Sequence, residues 1–224
     1  MDFGLVLFLV TLEILRAELR RVTWQDLTTE VGSISTLRLS LALLLTCANY
    51  AVLTTYDRLA VAAIGVQVSL RRVVATSLLA YAVANNVGFS MLSGAAIRYR
   101  FYTRWGLSAQ NLVNIVAFCS VTFWLGLCAL GGLSLLVAPP PALRGTLATS
   151  LVPVAAAGLL LLPVAYLVAA VVRRAPVRVR GFQFSVPSPR LAMAQLGASM
   201  GDWVLAGGVL YVLLPPSDLS FLRF

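Results

Sequence analysis

The sequence predicts an all-α, polytopic transmembrane helix bundle of about five spans, preceded by an N-terminal interfacial or partial helix. Three observations point there. Of 224 residues, 60% are hydrophobic and only 11% charged, whereas a soluble domain carries about a quarter charged residues. Mean hydropathy is +0.91, more apolar surface than a water-soluble fold of this length hides. The charges also leave long gaps, and a helix needs about 20 apolar residues to cross the hydrocarbon core.

Those gaps place spans near residues 39–55, 73–92, 112–137, 146–172 and 191–214. The last two gaps exceed one helix length, so tilt or interfacial ends are expected. The apolar runs are continuous rather than alternating, which excludes a β-barrel. The N-terminus reads differently. Residues 3–12 are apolar but short, and Met1-Asp2 supplies no basic region for a signal peptide. From Leu12, the residues Leu15, Leu19 and Val22 recur at helical spacing with Glu13, Arg16 and Arg20 turned away, and Trp24 follows. That pattern fits a helix lying in the membrane interface or a partial span. The expected organisation is an N-terminal segment over 1–36, a transmembrane domain over 37–216 and a tail over 217–224.

The chain has 17 basic and 8 acidic residues, a net charge of +9, and no histidine; every basic residue is arginine. A Ser-His-Asp triad, a histidine metal site, a P-loop lysine and a lysine Schiff base are therefore excluded. Cys47, Cys119 and Cys128 match no metal or redox spacing and read as small buried hydrophobes. No metal or cofactor is expected. Nucleic-acid binding is the rival reading of the basic charge, but the arginines stand in short connectors at span ends rather than on one folded face. Five single crossings put twelve arginines on the side of the N-terminal segment and of the 173–190 loop. Five (Arg58, Arg71, Arg72, Arg144 and Arg223) fall on the other. The positive-inside rule then makes the N-terminal segment cytoplasmic, with the loop lying along anionic lipid.

Three places break the apolar pattern. Tyr56-Asp57-Arg58 follows the first span, either as an interfacial anchor or as a headgroup contact. The stretch 81–105 holds Asn85 and Asn86 late in a span, then Ser90, Ser93 and Gly94, then Arg98, Arg100 and Arg104 among Tyr99, Phe101, Tyr102 and Trp105. Amides exposed to hydrocarbon cost several kcal/mol, so both should face protein or water. Guanidinium forks beside aromatic rings at headgroup depth suit a phospholipid phosphate, and equally suit an ordinary positive-inside anchor. Asp202 stands alone in the last span. A carboxylate there costs roughly 3 kcal/mol on insertion scales and calls for a partner, either one of the Arg98–Arg104 group or a substrate cation. Gly197 and Gly201 form a GxxxG, a sign of close helix packing.

Together these places resemble the membrane region of the lysylphosphatidylglycerol synthase/flippase family, the bacterial multiple peptide resistance factors. The matching stretches are Tyr56-Asp57 with Leu59-Ala60, Asn85-Asn86 with Gly88-Phe89-Ser90, and Ser93-Gly94 with Arg98-Tyr99-Arg100. Trp105-Gly106-Leu107-Ser108, Asp202-Trp203 and Leu210-Tyr211 with Leu213-Leu214-Pro215 continue it, in order, across 37–216. The resemblance implies a multi-pass inner-membrane protein that binds and translocates aminoacylated phosphatidylglycerol, lowering the surface's attraction for cationic antimicrobial peptides. Full-length members also carry a cytoplasmic transferase domain, absent here, so lipid synthesis by this chain is not expected. The chain also stops before a Pro-Gly-Gly segment and later helices usual in the family, which reads as an incomplete C-terminal side.

The expected headgroup site comprises Arg98, Tyr99, Arg100 and Arg104 for the phosphate and Asn85 and Asn86 lining a polar groove. Asp202 would neutralise the amine, with Tyr56 and Asp57 at the surface. The alternative is a membrane scaffold or partner subunit for a separate aminoacyltransferase; a homo-oligomer is compatible with either.

Overall fold

The computed structural model describes residues 12–13, 16, 23–87, 90–139, 150–173, 176–179, 182–184, 186–215 and 221. Two units separate, Met1–Leu41 and Ala42–Phe224. In the first, helix α1 spans Trp24–Ser33, and an exposed Arg16–Glu13 ion pair at 3.2 Å joins neighbouring turns. Most of the predicted interfacial helix and the 217–224 tail lie outside the described residues. Helix α2, Thr36–Ala63, opens with the Ser35 hydroxyl accepting from the Arg38 backbone N–H and carries the chain into the second unit.

Next come α3 (Leu70–Val87), α4 (Ser90–Arg104), α5 (Ala109–Val137), α6 (Val152–Val172), strands β1 (Val177–Val179) and β2 (Phe182–Phe184), and α7 (Pro189–Leu213). Local chemistry sets the boundaries. Gly65 takes φ +72° in the turn after α2, and Gly106 takes φ +85° after α4. The Leu107 N–H donates back to the Tyr102 carbonyl and Gly106 N–H to that of Thr103, the Schellman pattern that only a left-handed residue closes. Ser108 caps α5 by accepting from Asn111 N–H, and Ser188 caps α7 by accepting from Leu191 N–H. The predicted 173–190 loop holds a small antiparallel hairpin, Val177 opposite Phe184. Gln110 Nε2 donates to the Gln183 carbonyl at 2.8 Å and ties that hairpin to the start of α5.

The protein is an all-α polytopic membrane bundle. By length and composition α2, α5, α6 and α7 can each cross a membrane. Their outward faces are apolar: Val154, Leu161, Leu162, Val164, Val168 and Val171 of α6 are all exposed, as a lipid-facing helix requires. Helices α5 and α7 run parallel and touch through their backbones. A Cβ at Gly126 would stand 2.6 Å from the Ser199 carbonyl oxygen. Gln195 Nε2 donates to Thr122 Oγ1 at 2.6 Å and the Tyr166 hydroxyl donates to Gln195 Oε1, so polar atoms between α5, α6 and α7 satisfy one another. Helix α6 returns antiparallel, with Leu160 against Gly132. Helix α2 is antiparallel to α7, with Val52 beside Gly201 and Leu45 beside Gly208. The GxxxG is not the tight seam. Gly197 has nothing near it, and Gly126 supplies the close approach instead.

The predicted second span, 73–92, is not one helix. It is the outward arm and first residues of the return arm of an antiparallel α3–α4 hairpin. Small residues line the arms' approach: a Cβ at Gly94 would lie in ordinary contact, 3.6 Å from the Ala80 carbonyl oxygen and from Ala84 Cβ, and 3.2 Å from Arg98 Nη1. The hairpin leaves by the end through which it entered, and the Arg72 guanidinium sits 5.4 Å from the centroid of the Trp105 ring. This overturns the expectation that Arg58, Arg71 and Arg72 lie opposite Arg98, Arg100 and Arg104. The α2–α3 connection, the α4–α5 connection and the 173–190 segment all gather at one end.

Candidate functional site

Three helices bring polar groups into the middle of the second unit. Helix α4 points Arg98 at α2, where the guanidinium grips Asp57 with two parallel bonds, Nε to Oδ1 at 2.8 Å and Nη2 to Oδ2 at 2.7 Å. One helical turn on, the Tyr102 hydroxyl donates to the same Oδ1 at 3.2 Å. Asp57 is fully buried and Arg98 nearly so. Such a bidentate clasp cancels both charges and holds the geometry firmly. The open face of the Arg98 guanidinium lies over the Tyr81 ring, 4.8 Å from its centroid, a cation–π contact. Tyr81 in turn meets Tyr56 edge to face at 6.3 Å.

Asp202 comes from the middle of α7 and faces α2. Tyr56 donates its hydroxyl to Oδ2 at 2.8 Å, and Asn49 Nδ2 donates to Oδ1 at 2.7 Å and to the Asp202 backbone carbonyl at 2.9 Å. Both donors are neutral. Among the described residues no guanidinium lies within ion-pair distance of Asp202.

Arg98 of the clasp and Asp202 line one cavity of about 440 Å³, whose walls also include Asn49, Tyr56, Tyr81, Asn85, Phe123, Trp124 and Trp203, while Asp57 is buried behind Arg98. The Trp203 indole N–H donates to the Phe123 carbonyl at 3.1 Å, which fixes one aromatic wall. The cavity thus combines apolar rings with a charge-cancelled guanidinium, Arg98, at one side and the Asp202 carboxylate at another.

Of the residues expected from sequence, Tyr56, Asn85, Arg98 and Asp202 surround this one space, and Asp57 lies behind it, joined to Arg98. Tyr99, Arg100 and Arg104 do not. Although they flank Arg98 in sequence, they point outward from α4 and are exposed, because only every third or fourth residue of a helix shares a face. Asn86 is also exposed and donates to the Ala82 carbonyl of its own helix at 2.7 Å. Of the two partners weighed for Asp202, an arginine of the Arg98–Arg104 group or a substrate cation, the first is not found among the described residues: Arg98 pairs with Asp57 instead. Sequence reasoning passed over Asn49, Tyr81 and Tyr102. Asn49 carried a usable signal, an amide deep inside a span, and Tyr102 stands four residues after Arg98.

No protein-family model matches the chain. It is 34% identical over 224 residues to the uncharacterized protein slr0712 of Synechocystis sp., covering 99% of this chain and 69% of that protein. It is 26% identical over 214 residues to the inner membrane protein YbhN of Escherichia coli, covering 94% of this chain and 66% of that protein. The chain therefore spans about two thirds of the length of each relative. With a third of its residues identical across nearly its whole length, this chain belongs to the family of the Synechocystis protein slr0712.

Proposed function

We propose that this protein is an inner-membrane lipid translocator, or the larger part of one, whose bundle cavity receives the headgroup of an aminoacylated phosphatidylglycerol. One observation carries the reading: the Asp202 carboxylate and Arg98, whose charge Asp57 cancels from behind, line the same apolar-walled cavity inside a membrane bundle. Its volume falls in the range of small-ligand sites and fits a headgroup rather than a whole lipid. Asp202 supplies the contact for the aminoacyl cation. Arg98 is already committed to Asp57, so it contributes guanidinium edges to the phosphate rather than a free positive charge. The inner-membrane location is in keeping with the relative YbhN. Contribution to cationic-peptide resistance follows from the sequence resemblance and stands or falls with the substrate.

The clustered arginines set the orientation we propose. The end holding Arg58, Arg71, Arg72, Arg104, Arg173 and Arg190 faces the cytoplasm, which keeps Arg104, Arg173 and Arg190 on the side counted from five single crossings and moves Arg58, Arg71 and Arg72 to it. Single cysteines at 71 and 104 are then labelled by impermeant maleimide in inverted vesicles and not in intact cells.

The test of function is outward movement of lysylphosphatidylglycerol in proteoliposomes. Asp202→Asn keeps the shape and removes the charge, so it should slow movement about tenfold or more, the worth of one charge-assisted hydrogen bond. Equal rates for the two proteins refute the reading. A second role, docking a separate aminoacyltransferase, is favoured by the exposed Arg100, Arg104, Arg173 and Arg190 at the basic end. Salt-sensitive co-purification of one defined transferase would support that role.

A further inference from the structure

We infer that Asp202 is a proton-exchange site, alternating between a bound proton and the cationic group of the substrate. The identity of that cation rests on the lipid reading above; the exchange itself rests on the geometry of the cavity.

The charge count around the cavity does not close. Asp57 and Arg98 cancel one another through two bonds, and Tyr102 takes a further position on Asp57. Asp202 adds a second carboxylate, and among the described residues no second cation lines the cavity. The ionisable side chains on its walls with Asp202 are Tyr56 of α2, Tyr81 of α3, Arg98 of α4 and Cys119 of α5, with Asp57 and Tyr102 joined to one another behind Arg98. Helix α6 sends only Tyr166 inward, and that hydroxyl is held by Gln195. Tyrosine and cysteine side chains are neutral near pH 7, so none of them balances Asp202.

An unbalanced carboxylate midway along a membrane helix is costly. Two occupants remove the cost: a proton or a cation. The hydrogen bonds already present allow both. An ionised carboxylate has about four lone-pair positions, and Tyr56 and Asn49 use one position on each oxygen. The remaining positions can take an ammonium N–H, or one of them can carry the proton. Neither state requires Tyr56 or Asn49 to let go.

The exchange balances as follows. With the amine bound, the carboxylate is ionised and the ammonium keeps its own N–H bonds. When a proton arrives from water, one new O–H bond forms on an Asp202 oxygen and the ammonium leaves with its N–H bonds intact. The pocket is neutral before and after. Protons moving down their gradient would therefore expel substrate on the more acidic side of the membrane, which makes the cavity a proton–lipid exchanger.

The test is an infrared difference titration of the full chain in phosphatidylcholine bilayers, with lysylphosphatidylglycerol or a short alkylammonium salt as the competing cation. The expected result is a protonated-carboxyl C=O band that grows as pH falls and is missing from Asp202→Asn. Adding the lipid should abolish the band at fixed pH, its midpoint falling by up to about one pH unit per tenfold rise in lipid, as simple competition requires. Tyr56→Phe should shift the frequency of the band without removing it, which identifies the band should the asparagine variant fold poorly. Absence of any Asp202-dependent band at all pH values overturns the inference, and so does a band indifferent to both cations. Displacement by the alkylammonium but not by the lipid supports the exchange site and removes the lipid reading.

Discussion

Asp57 and Asp202 are two carboxylates inside one bundle, the first buried behind the cavity and the second on its wall, and they are treated in opposite ways. Asp57, fully buried near the end of α2, accepts both arms of a guanidinium and a tyrosine hydroxyl. Asp202, halfway along α7, accepts only from a tyrosine and an amide. The difference lies in where α4 runs out of reach. Its return arm brings Arg98 level with Asp57, while Asp202 meets the earlier turns of α2. A carboxylate completed by protein is architecture; one left incomplete is available to something from outside. Chemical type alone does not separate the two cases, because what matters is whether the fold supplies the opposite charge.

Removing that supplied charge should have the largest effect. Arg98→Ala leaves Asp57 buried without its cation and should cost roughly 3–5 kcal/mol, read as a lowered unfolding midpoint in detergent micelles. Asp57→Ala/Arg98→Ala should recover most of the loss, since no charge is then stranded. An Arg98→Ala protein as stable as wild type would show that the clasp is not what distinguishes the two carboxylates. Moving the helix that carries Asp202 comes next. Gly126→Ala forces a methyl against the Ser199 backbone, three residues before Asp202, and should cost about 1–3 kcal/mol. Gly197→Ala, on the same helix but with open space around it, should be neutral or stabilising by up to about 1 kcal/mol. The smallest loss of stability should come from Tyr56→Phe, which removes one of the donors to Asp202 and should cost about 1 kcal/mol. A loss as large as that of Arg98→Ala would mean that Asp202 depends on its neighbours as heavily as Asp57 does.

Much of the fold was legible because hydrocarbon imposes a simple rule on composition. The expected spans at 112–137, 146–172 and 191–214 coincide closely with α5, α6 and α7. The span at 39–55 falls inside α2 but ends too early. In sequence Asp57 and Arg58 end the apolar stretch, yet Asp57 is cancelled across space by Arg98 and the helix runs on to Ala63. A charge pair that forms between distant segments counts as two charges in sequence and as none in the fold. The α3–α4 hairpin was hidden for the converse reason: the uncharged gap from Arg72 to Arg98 looks like one crossing, although it contains the end of one helix and the start of another. At the site, Tyr56, Asp57, Asn85, Arg98 and Asp202 stood out as polar exceptions. Their partners did not. The Arg98–Asp57 bond joins residues 41 apart, and its register depends on how the hairpin packs, which local pattern does not encode.

The contact of Gly126 with the Ser199 backbone has a mechanical consequence. Where two helices meet main chain to main chain there are no flexible side chains to take up slack, and a Cβ at Gly132 would likewise stand 3.1 Å from the Ala156 carbonyl oxygen of α6, beside the Leu160 side chain. These three helices therefore behave as one rigid block. Helix α2 meets that block through the tips of Asn49 and Tyr56 on Asp202, contacts that can swing without prising backbones apart. Any widening of the cavity is thus cheapest along the α2 flank, and cross-links across that flank should arrest the protein more effectively than cross-links within the block.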